Sequence, residues 1–347
     1  MKKRIYAITG IAGQLGSVIA NKLVLKGEHV RGFYLSNEKN IIPGTEVFYG
    51  DVTKPATLEP FLAHDESEEL ILIHCAAIIS ISKRVSPKVY DVNVTGTENV
   101  VEMAKANGVK RMVHVSSVHA IPEGKKGDII KETKDFDPRN VEGEYAKTKA
   151  AATHYVLQSE TDDFEVVVVH PSGIIVPGST AEGDFFGHFM RLYLQGELKT
   201  AVKGGYDFVD VRDVADGVIS AVDNGRSGET YIFSGGYYTL KEISDHLAQL
   251  TDQKPIKRFL SPRFVKMFAW IAEAYYKIKK KTPLFTAYSM HSLQAPANFT
   301  HAKATEELGY NPRPILNTLI DVVNEFKAKR ENATASKQTI KNKKKQN

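Results

Sequence analysis

The chain has 347 residues, 42% of them hydrophobic, enough for one large domain or two intimate ones around a sizeable core. Its formal charge of +5 is carried mostly by residues 331–347, where Lys337, Lys341, Lys343, Lys344 and Lys345 stand against Glu331, so the body is almost neutral and nucleic-acid binding by the fold is not indicated. A single cysteine, Cys75, excludes intramolecular disulfides, is compatible with a reducing cytoplasm and reads as core packing, and no apolar run approaches the roughly 20 residues needed to span a bilayer.

In chain order, Met1-Lys2-Lys3-Arg4 has the basic start of a signal peptide, but the apolar run behind it breaks at the glycines and Gln14. Lys3 to Thr9 reads instead as a first strand. Gly10-Ile11-Ala12-Gly13-Gln14-Leu15-Gly16 follows, and an amphipathic helix runs on to about Lys26. Strand, glycine loop and helix form the phosphate-cradling start of a dinucleotide fold. The first glycine allows a tight turn, the second lets backbone approach a pyrophosphate, and the helix amino end favours its charge. Gly10, Gly13, Gln14, Leu15 and Gly16 are therefore candidate cofactor contacts. The spacing is G-x-x-G-x-x-G, not G-x-G-x-x-G, and a glycine turn without a ligand is the alternative.

Further strands are predicted near 28–34, 45–49, 70–73, 112–115 and 165–170, with helices near 54–63, 87–106 and 145–160. The alternation, with Val166-Val167-Val168-Val169 as a buried strand, predicts an α/β fold with a Rossmann-type doubly wound parallel sheet. After Pro171 the pattern loosens. Helices near 184–195, 262–280 and 314–329 predict a smaller, mostly helical C-terminal substrate lobe, while 206–224 and 229–250 return to the main sheet. The expected division is a dinucleotide-binding domain over 1–176 with 206–250 returning to it, a substrate lobe over 177–205 and 251–329, and a disordered basic tail over 330–347. A weak contact with an anionic surface is the one role open to that tail. Arg263 to Lys281 is aromatic-rich with a basic end; a pocket or core helix is preferred to one lying on a membrane. No internal repeat is visible.

The chemistry centres on Tyr145-Ala-Lys-Thr-Lys149. Tyrosine and lysine four apart project from one helix face. A phenol is a poor acid near neutrality, with an unperturbed pKa of about 10. An ammonium fixed one turn away lowers it, which makes Tyr145 an acid–base catalyst for a carbonyl oxygen or an alcohol. The isolated pattern occurs by chance on many exposed helices. The glycine loop upstream and the Ser116-Ser117 pair at a strand end strengthen it. Spacing alone does not choose between Ser116 and Ser117, and His119 nearby reads as a loop histidine.

More motifs follow in order: Asp51-Val52, His74-Cys75-Ala76-Ala77, Asn93-Val94-Thr95-Gly96-Thr97, Val115-Ser116-Ser117, His170-Pro171-Ser172-Gly173-Ile174 and Phe208-Val209-Asp210-Val211-Arg212-Asp213-Val214-Ala215. Over roughly residues 3–329 the chain resembles the extended short-chain dehydrogenase/reductases, that is, the NAD-dependent epimerase/dehydratase family. The resemblance implies a catalytic Ser117, Tyr145 and Lys149, the lysine also binding the nicotinamide ribose. It implies that Asp51 and Val52 meet the adenine, and that Ala76, Ala77, Asn93, Pro171 and Ser172 also lie at the cofactor. It implies no metal. A homodimer through the helices near 87–106 and 145–160 is a family expectation.

In this family an acid at the end of the second strand marks NAD specificity. Tyr34 stands there, and Leu35 replaces the arginine of many NADPH-dependent reductases of this type. Ser36, Asn37 and Lys39 can hold a 2′-phosphate, so NADP is favoured over NAD; Arg31 either contributes or points to solvent. Nucleotide-sugar members often carry R-P-x-N-x-Y-G-P, whereas here Gly173 replaces the asparagine and Val176 the glycine. The run looks more like that of dihydroflavonol reductases, aldehyde reductases and 3β-hydroxysteroid dehydrogenases, as does the segment from Ala302 to Pro314. Phe185, Phe186, Phe189, Tyr193, Phe268 and Trp270 suit an apolar carbonyl substrate better than a sugar diphosphate, although each reads equally well as core. Three functions follow: a reductase of an aldehyde or ketone, a nucleotide-sugar epimerase or dehydratase, and a non-catalytic dinucleotide sensor. Retention of Ser117, Tyr145 and Lys149 argues against the sensor, which needs no proton donor.

Overall fold

The structure is a computed structural model. It describes residues 2–80, 86–125, 127–179, 185–262, 264–265 and 287–346. The chain divides into two compact units, Met1–Ile174 with Asp207–Tyr237 and Gln294–Pro312, and Ile175–Tyr206 with Tyr238–Leu293 and Arg313–Asn347.

The first unit is built on a seven-stranded sheet. Its strands are β1 (Lys3–Thr9), β2 (His29–Tyr34), β3 (Glu46–Tyr49), β4 (Glu68–His74), β5 (Arg111–Val115), β6 (Glu165–Pro171) and β10 (Glu229–Phe233). Their order is β10-β6-β5-β4-β1-β2-β3, and every pairing is parallel. The order turns back at β1, so a crevice opens at the carboxyl ends of β1 and β4, where ligands of such sheets bind. The central strands β1, β4, β5 and β6 are largely apolar and buried because helices cover both faces, whereas β3 at the edge is mostly exposed. In β6 the four valines are all buried. One face packs Leu70, Leu72, Met112, Val166 and Val168 against Val100, Val101 and Ala104 of α4 (Gly96–Ala106) and Val156 of α5 (Glu144–Gln158). Each such side chain contributes about 1.5–3 kcal/mol. On the other face lie α1 (Gln14–Leu25) and α7 (Val211–Asn224), which pack together.

The second unit contains α6 (Phe185–Leu194), the parallel pair β8 (Thr200–Val202) and β12 (Arg258–Leu260), α8 (Leu240–Leu250), α9 (Ala287–Ser292) and α11 (Ile315–Gln346). A capping box between Thr239 and Glu242 starts α8, which packs on α11.

Several boundaries differ from the sequence expectation. The helix expected over 54–63 is a 3-10 turn, Pro55–Thr57, and a single turn α2, Glu59–Leu62. Pro55 and Pro60 lack the N–H that a longer helix needs, so each sits only at a helix start. The helix expected over 87–106 contains a π turn, Asp91–Thr95, between α3 (Pro87–Tyr90) and α4. Of the late segments only β10 joins the main sheet. β9 (Gly205–Asp210) pairs with β7 (Gly173–Ile175) and β11 (Tyr237–Thr239). α8 groups with the second unit, while 294–312, including α10 (Ala302–Leu308), groups with the first. That second placement is held by the Ile130–Phe299 bridge, by Ser234 on His301, and by Glu307 on Arg226 and Tyr231. The expected disordered tail is instead drawn as helix to Gln346, over residues rich in the helix formers lysine, glutamine and alanine. Most of the helix expected over 262–280, with Phe268 and Trp270, lies outside the described residues.

Candidate active site

The glycine loop leaves β1 at Gly10, whose φ of +66° is left-handed and whose backbone lies on the loop after β4. A Cβ there would stand 2.6 Å from the Ala76 nitrogen, and one on Gly16 would stand 2.4 Å from the Gly10 oxygen. The Gly13 N–H donates to that same oxygen at 2.9 Å, closing the turn. α1 then starts with no side-chain cap and no acid in its first turn. Its amino end, with Gln14, Leu15 and Gly16, is thus presented to an anion. These features fit the pyrophosphate of a dinucleotide.

Behind the loop lies a buried polar chain. The Thr97 hydroxyl donates to the Asn93 carbonyl at 2.8 Å, so it accepts from Nε2–H of His74 at 3.0 Å. Nδ1 of His74 therefore accepts from the Thr9 hydroxyl at 2.6 Å. This fixes one tautomer of a neutral imidazole. Burial, reinforced by the Lys149 charge, lowers the His74 pKa to about 3. His114, its β5 neighbour, stacks on it at 5.3 Å and is also fully buried. Burial first, then the Lys149 charge and the two neighbouring histidines, holds His114 well below the ordinary imidazole range.

Asn93 sits on the π turn. Its side-chain oxygen accepts from the Ile78 N–H at 2.7 Å, and its amide donates to the Ile78 carbonyl at 3.0 Å and to the Thr148 hydroxyl at 3.1 Å. Both amide protons are thereby committed. Asn93 thus bridges the 76–78 loop, which abuts Gly10, and α5.

The catalytic candidates meet at the end of β5. Ser116 points inward, and its hydroxyl shares a 2.6 Å hydrogen bond with Thr153 of α5. Ser117, in extended backbone, is half-buried and accepts from the His119 N–H at 3.2 Å. Its carbonyl accepts from Nδ1–H of His170 at 3.0 Å. The His170 ring lies flat on Phe136 at 5.1 Å, and burial lowers its pKa to about 4. Lys149 is 3% exposed and donates to the Val115 carbonyl at 2.9 Å, two residues before Ser117. Burial strips its hydration and lowers its pKa to about 8. Tyr145, one turn earlier on α5, packs edge-on against the His119 ring at 6.1 Å. Three contacts between α5 and the β5 end thus bring Ser117, Tyr145 and Lys149 to one place. The low-dielectric surroundings push the Cys75 thiol up to about 12, so it stays protonated.

Just past β3, Asp51 accepts from Thr53 at one oxygen, from its N–H at 3.0 Å and from its hydroxyl at 2.8 Å. Val52 is buried, and its carbonyl accepts from Asn99 of α4 at 3.0 Å. Tyr34 turns inward: its hydroxyl lies 3.0 Å from the Thr45 hydroxyl and accepts from the Ile42 N–H at 3.1 Å. Its ring fills the space over Gly32, where a Cβ would come within 2.4 Å of it. Arg31 neither points to solvent nor faces the cofactor loop. It is buried, ion-paired with Glu46 at 3.0 Å, bonded to the Ala63 carbonyl at 2.6 Å and laid over Phe48. Ser36, Asn37 and Lys39 are exposed on the turn after β2.

Pro171 ends β6 and Ser172 follows it, near a carboxylate not singled out in the sequence. Asp207 is 1% exposed and accepts from the N–H groups of Gly235 at 3.0 Å and Gly236 at 3.1 Å. Burial raises its pKa to about 6 against those hydrogen bonds. The only visible sign of it was an extra acid before the F-V-D-V run. In the second unit Phe186, Phe189 and Tyr193 are buried, and the Tyr193 hydroxyl bonds the Ser244 and Lys254 carbonyls at 3.3 Å, as core side chains do.

The NAD dependent epimerase/dehydratase family matches residues 6–233. Sterol demethylase protein B of Methylococcus capsulatus is 27% identical over 329 residues, covering 92% of this chain and 97% of that protein. The 3 beta-hydroxysteroid dehydrogenase/Delta 5→4-isomerase of Mycobacterium tuberculosis is 26% identical over 326 residues, covering 88% and 85%. UDP-glucose 4-epimerase of Vibrio cholerae is 24% identical over 275 residues, covering 75% and 81%. Among solved structures, that of gox2253 shares the fold with a TM-score of 0.76 at 25% identity, covering 94% of this chain and 98% of the other. Among the described residues no helix is long and apolar enough to cross a membrane.

Proposed function

The chain belongs to the NAD-dependent epimerase/dehydratase family, and on that footing we propose that it is an NAD(P)-dependent oxidoreductase that reduces an aldehyde or ketone, or oxidises the alcohol, on an apolar alicyclic substrate such as a sterol. The observation that carries this reading is the convergence of Ser117, Tyr145 and Lys149 at the end of β5, beside a glycine cradle fitted to a dinucleotide.

A dinucleotide held by its pyrophosphate in that cradle would supply or accept the hydride through its nicotinamide. The residues supply the rest. Tyr145 gives a proton to the carbonyl oxygen in reduction and takes it back in oxidation. Ser117 donates its hydroxyl proton to the same oxygen, since its own lone pair already receives the His119 N–H. Lys149, anchored on Val115, keeps a positive charge close to the phenol below about pH 8.

Two observations favour an apolar substrate over a sugar nucleotide: Gly173 stands where sugar-nucleotide members carry asparagine, and the first-named relative is a sterol-demethylation protein. The UDP-glucose 4-epimerase relative keeps the epimerase reading as the second one. For the cofactor, the inward turn of Tyr34 and the exposure of Ser36, Asn37 and Lys39 favour NADP.

The test is oxidation of NADPH and of NADH across apolar aldehydes, diketones and keto-steroids, with Tyr145→Phe alongside. We expect turnover with NADPH, at least about 100-fold loss in Tyr145→Phe, and cofactor affinity within about threefold of the parent. Full activity in that variant sinks the mechanism. No carbonyl turnover, with UDP-sugar binding instead, moves the assignment to the epimerase.

A further inference from the structure

We propose that His170 is a positioning residue for Ser117: by holding the Ser117 carbonyl it fixes the rotation of that residue, and hence the aim of its hydroxyl at the substrate oxygen. The inference rests on the oxidoreductase reading above, in which Ser117 is catalytic. Ser116 is still tied to β6, its N–H donating to the Val169 carbonyl at 2.8 Å. Ser117 follows at the start of a 3-10 turn, Val118–Ala120. Three donors then reach Ser117. The His119 N–H meets its hydroxyl at 3.2 Å, the Ala120 N–H meets its carbonyl at 3.0 Å, and Nδ1–H of His170 meets the same carbonyl at 3.0 Å. The first two come from within the turn and move with it. His170 comes from β6, 53 residues away, and ties the turn to the sheet.

The imidazole is itself held. It is fully buried and stacks on Phe136, which is buried too. Phe136 ends a loop pinned at the sheet edge, where Glu132 accepts from the Ile232 N–H of β10 at 2.9 Å and Lys134 donates to the Gly228 carbonyl at 2.6 Å. A donor on a ring locked by packing holds its partner more closely than a mobile side chain does. Burial keeps the ring neutral, so Nδ1 carries the proton and the bond to Ser117 persists at neutral pH. Among the described residues Nε2 of His170 has no hydrogen-bond partner. A buried imidazole with one nitrogen unpaired costs stability that an aromatic hydrocarbon filling the same space would not. The bond to Ser117 is what histidine supplies here and phenylalanine cannot, and it ends on the proposed catalytic residue.

The experiment is steady-state kinetics of the full chain with NADPH and the best carbonyl of the panel above, for the parent, His170→Phe, His170→Asn, Ser117→Ala and His170→Phe combined with Ser117→Ala. His170→Phe keeps the ring and removes the donor. It should lower kcat about tenfold and leave the NADPH KM within about threefold of the parent. His170→Asn places an amide nitrogen near Nδ1, so it keeps the donor and loses the stack. It should bring kcat back to within about threefold of the parent while lowering the unfolding midpoint, a pattern that a merely structural histidine would reverse. Without the Ser117 hydroxyl there is nothing to aim, so adding His170→Phe to Ser117→Ala should change kcat by less than about twofold. In 15N NMR of histidine-labelled protein, the signals lost in His170→Phe should belong to a ring protonated at Nδ1 and bare at Nε2. Parental kcat in His170→Phe, an equal loss in His170→Asn, a full His170→Phe effect in the Ser117→Ala background, or the opposite tautomer overturns the inference and leaves the oxidoreductase reading standing. If His170→Asn does not fold, the double variant and the tautomer decide. A parent that turns over no substrate overturns the oxidoreductase reading, and this inference with it.

Discussion

Ser116 and Ser117 are adjacent hydroxyls with opposite fates, because successive side chains on extended backbone point to opposite sides. Ser116 shares its hydrogen bond with Thr153 inside the fold, while the Ser117 hydroxyl accepts from the His119 N–H and, in the proposed mechanism, gives its proton to the substrate oxygen. Ser117→Ala should therefore lower kcat by about 10²–10³ and leave the unfolding midpoint close to the parent. Ser116→Ala should lower stability by about 1–2 kcal/mol and change kcat little. Steady-state kinetics with denaturant unfolding of both variants separates the roles, and the reverse pattern would reassign the serine. The sequence placed both residues at a strand end but left the choice open, since spacing does not reveal what lies across the helix. The same limit hid the fates of Tyr34 and Arg31. Their partners Thr45, Ile42, Glu46 and Ala63 come from segments 8 to 32 residues away.

At the scale of elements, the first six strands were legible from their short β-branched and aromatic runs between turn residues, most plainly in β6 with its four consecutive buried valines. The glycine loop was legible because close backbone approach demands glycine whatever the tertiary context. The π turn at Asp91–Thr95 was not, since one wide turn leaves the composition of a helix unchanged. Its consequence is specific: it carries Asn93, whose amide holds the 76–78 loop against α5. Asn93→Leu removes three hydrogen bonds and should cost about 2–4 kcal/mol, with a rise in cofactor Km because the loop abuts Gly10. Asn93→Asp keeps the acceptor for the Ile78 N–H and should fall between the two. Urea unfolding and cofactor titration check this, and a Leu variant as stable as the parent would remove the clamp. The pairing of β9 with β7 and β11 was hidden for a related reason: a strand's own pattern says that it is buried but does not name its neighbour.

Across the whole molecule, the least legible feature is the set of buried histidines, because imidazole reads as polar and its burial is decided by long-range packing. His74, His114 and His170 are fully buried around Lys149 and held neutral. Each has a folded pKa below the ordinary value, about 3 for His74 and about 4 for His170. The unfolded chain therefore binds more protons than the native one below about pH 6.5, so native stability is full above that pH and is lost as pH falls. The slope is at most about 1.4 kcal/mol per pH unit for each histidine. Asp207 works the other way: its pKa of about 6 lies above that of an unfolded aspartate, so its cost is relieved as pH falls below 6. Lys149 contributes no slope in this range, being protonated in both states below its folded value of about 8. Three imidazoles against one carboxylate leave a net loss of roughly 3 kcal/mol per unit, enough to exhaust a stability of about 5 kcal/mol, the low end of the usual range, at roughly pH 4–5. Among the described residues neither ring nitrogen of His114 has a hydrogen-bond partner, so it can be replaced by an apolar side chain without orphaning a neighbour. His114→Leu should thus remove up to about 1.4 kcal/mol per pH unit, roughly half of the net acid sensitivity, and move the unfolding transition to lower pH, at near-parental stability at pH 7. Urea midpoints from pH 7 to pH 4 test this; identical slopes for parent and variant would mean that the acid liability lies elsewhere than in the buried imidazoles.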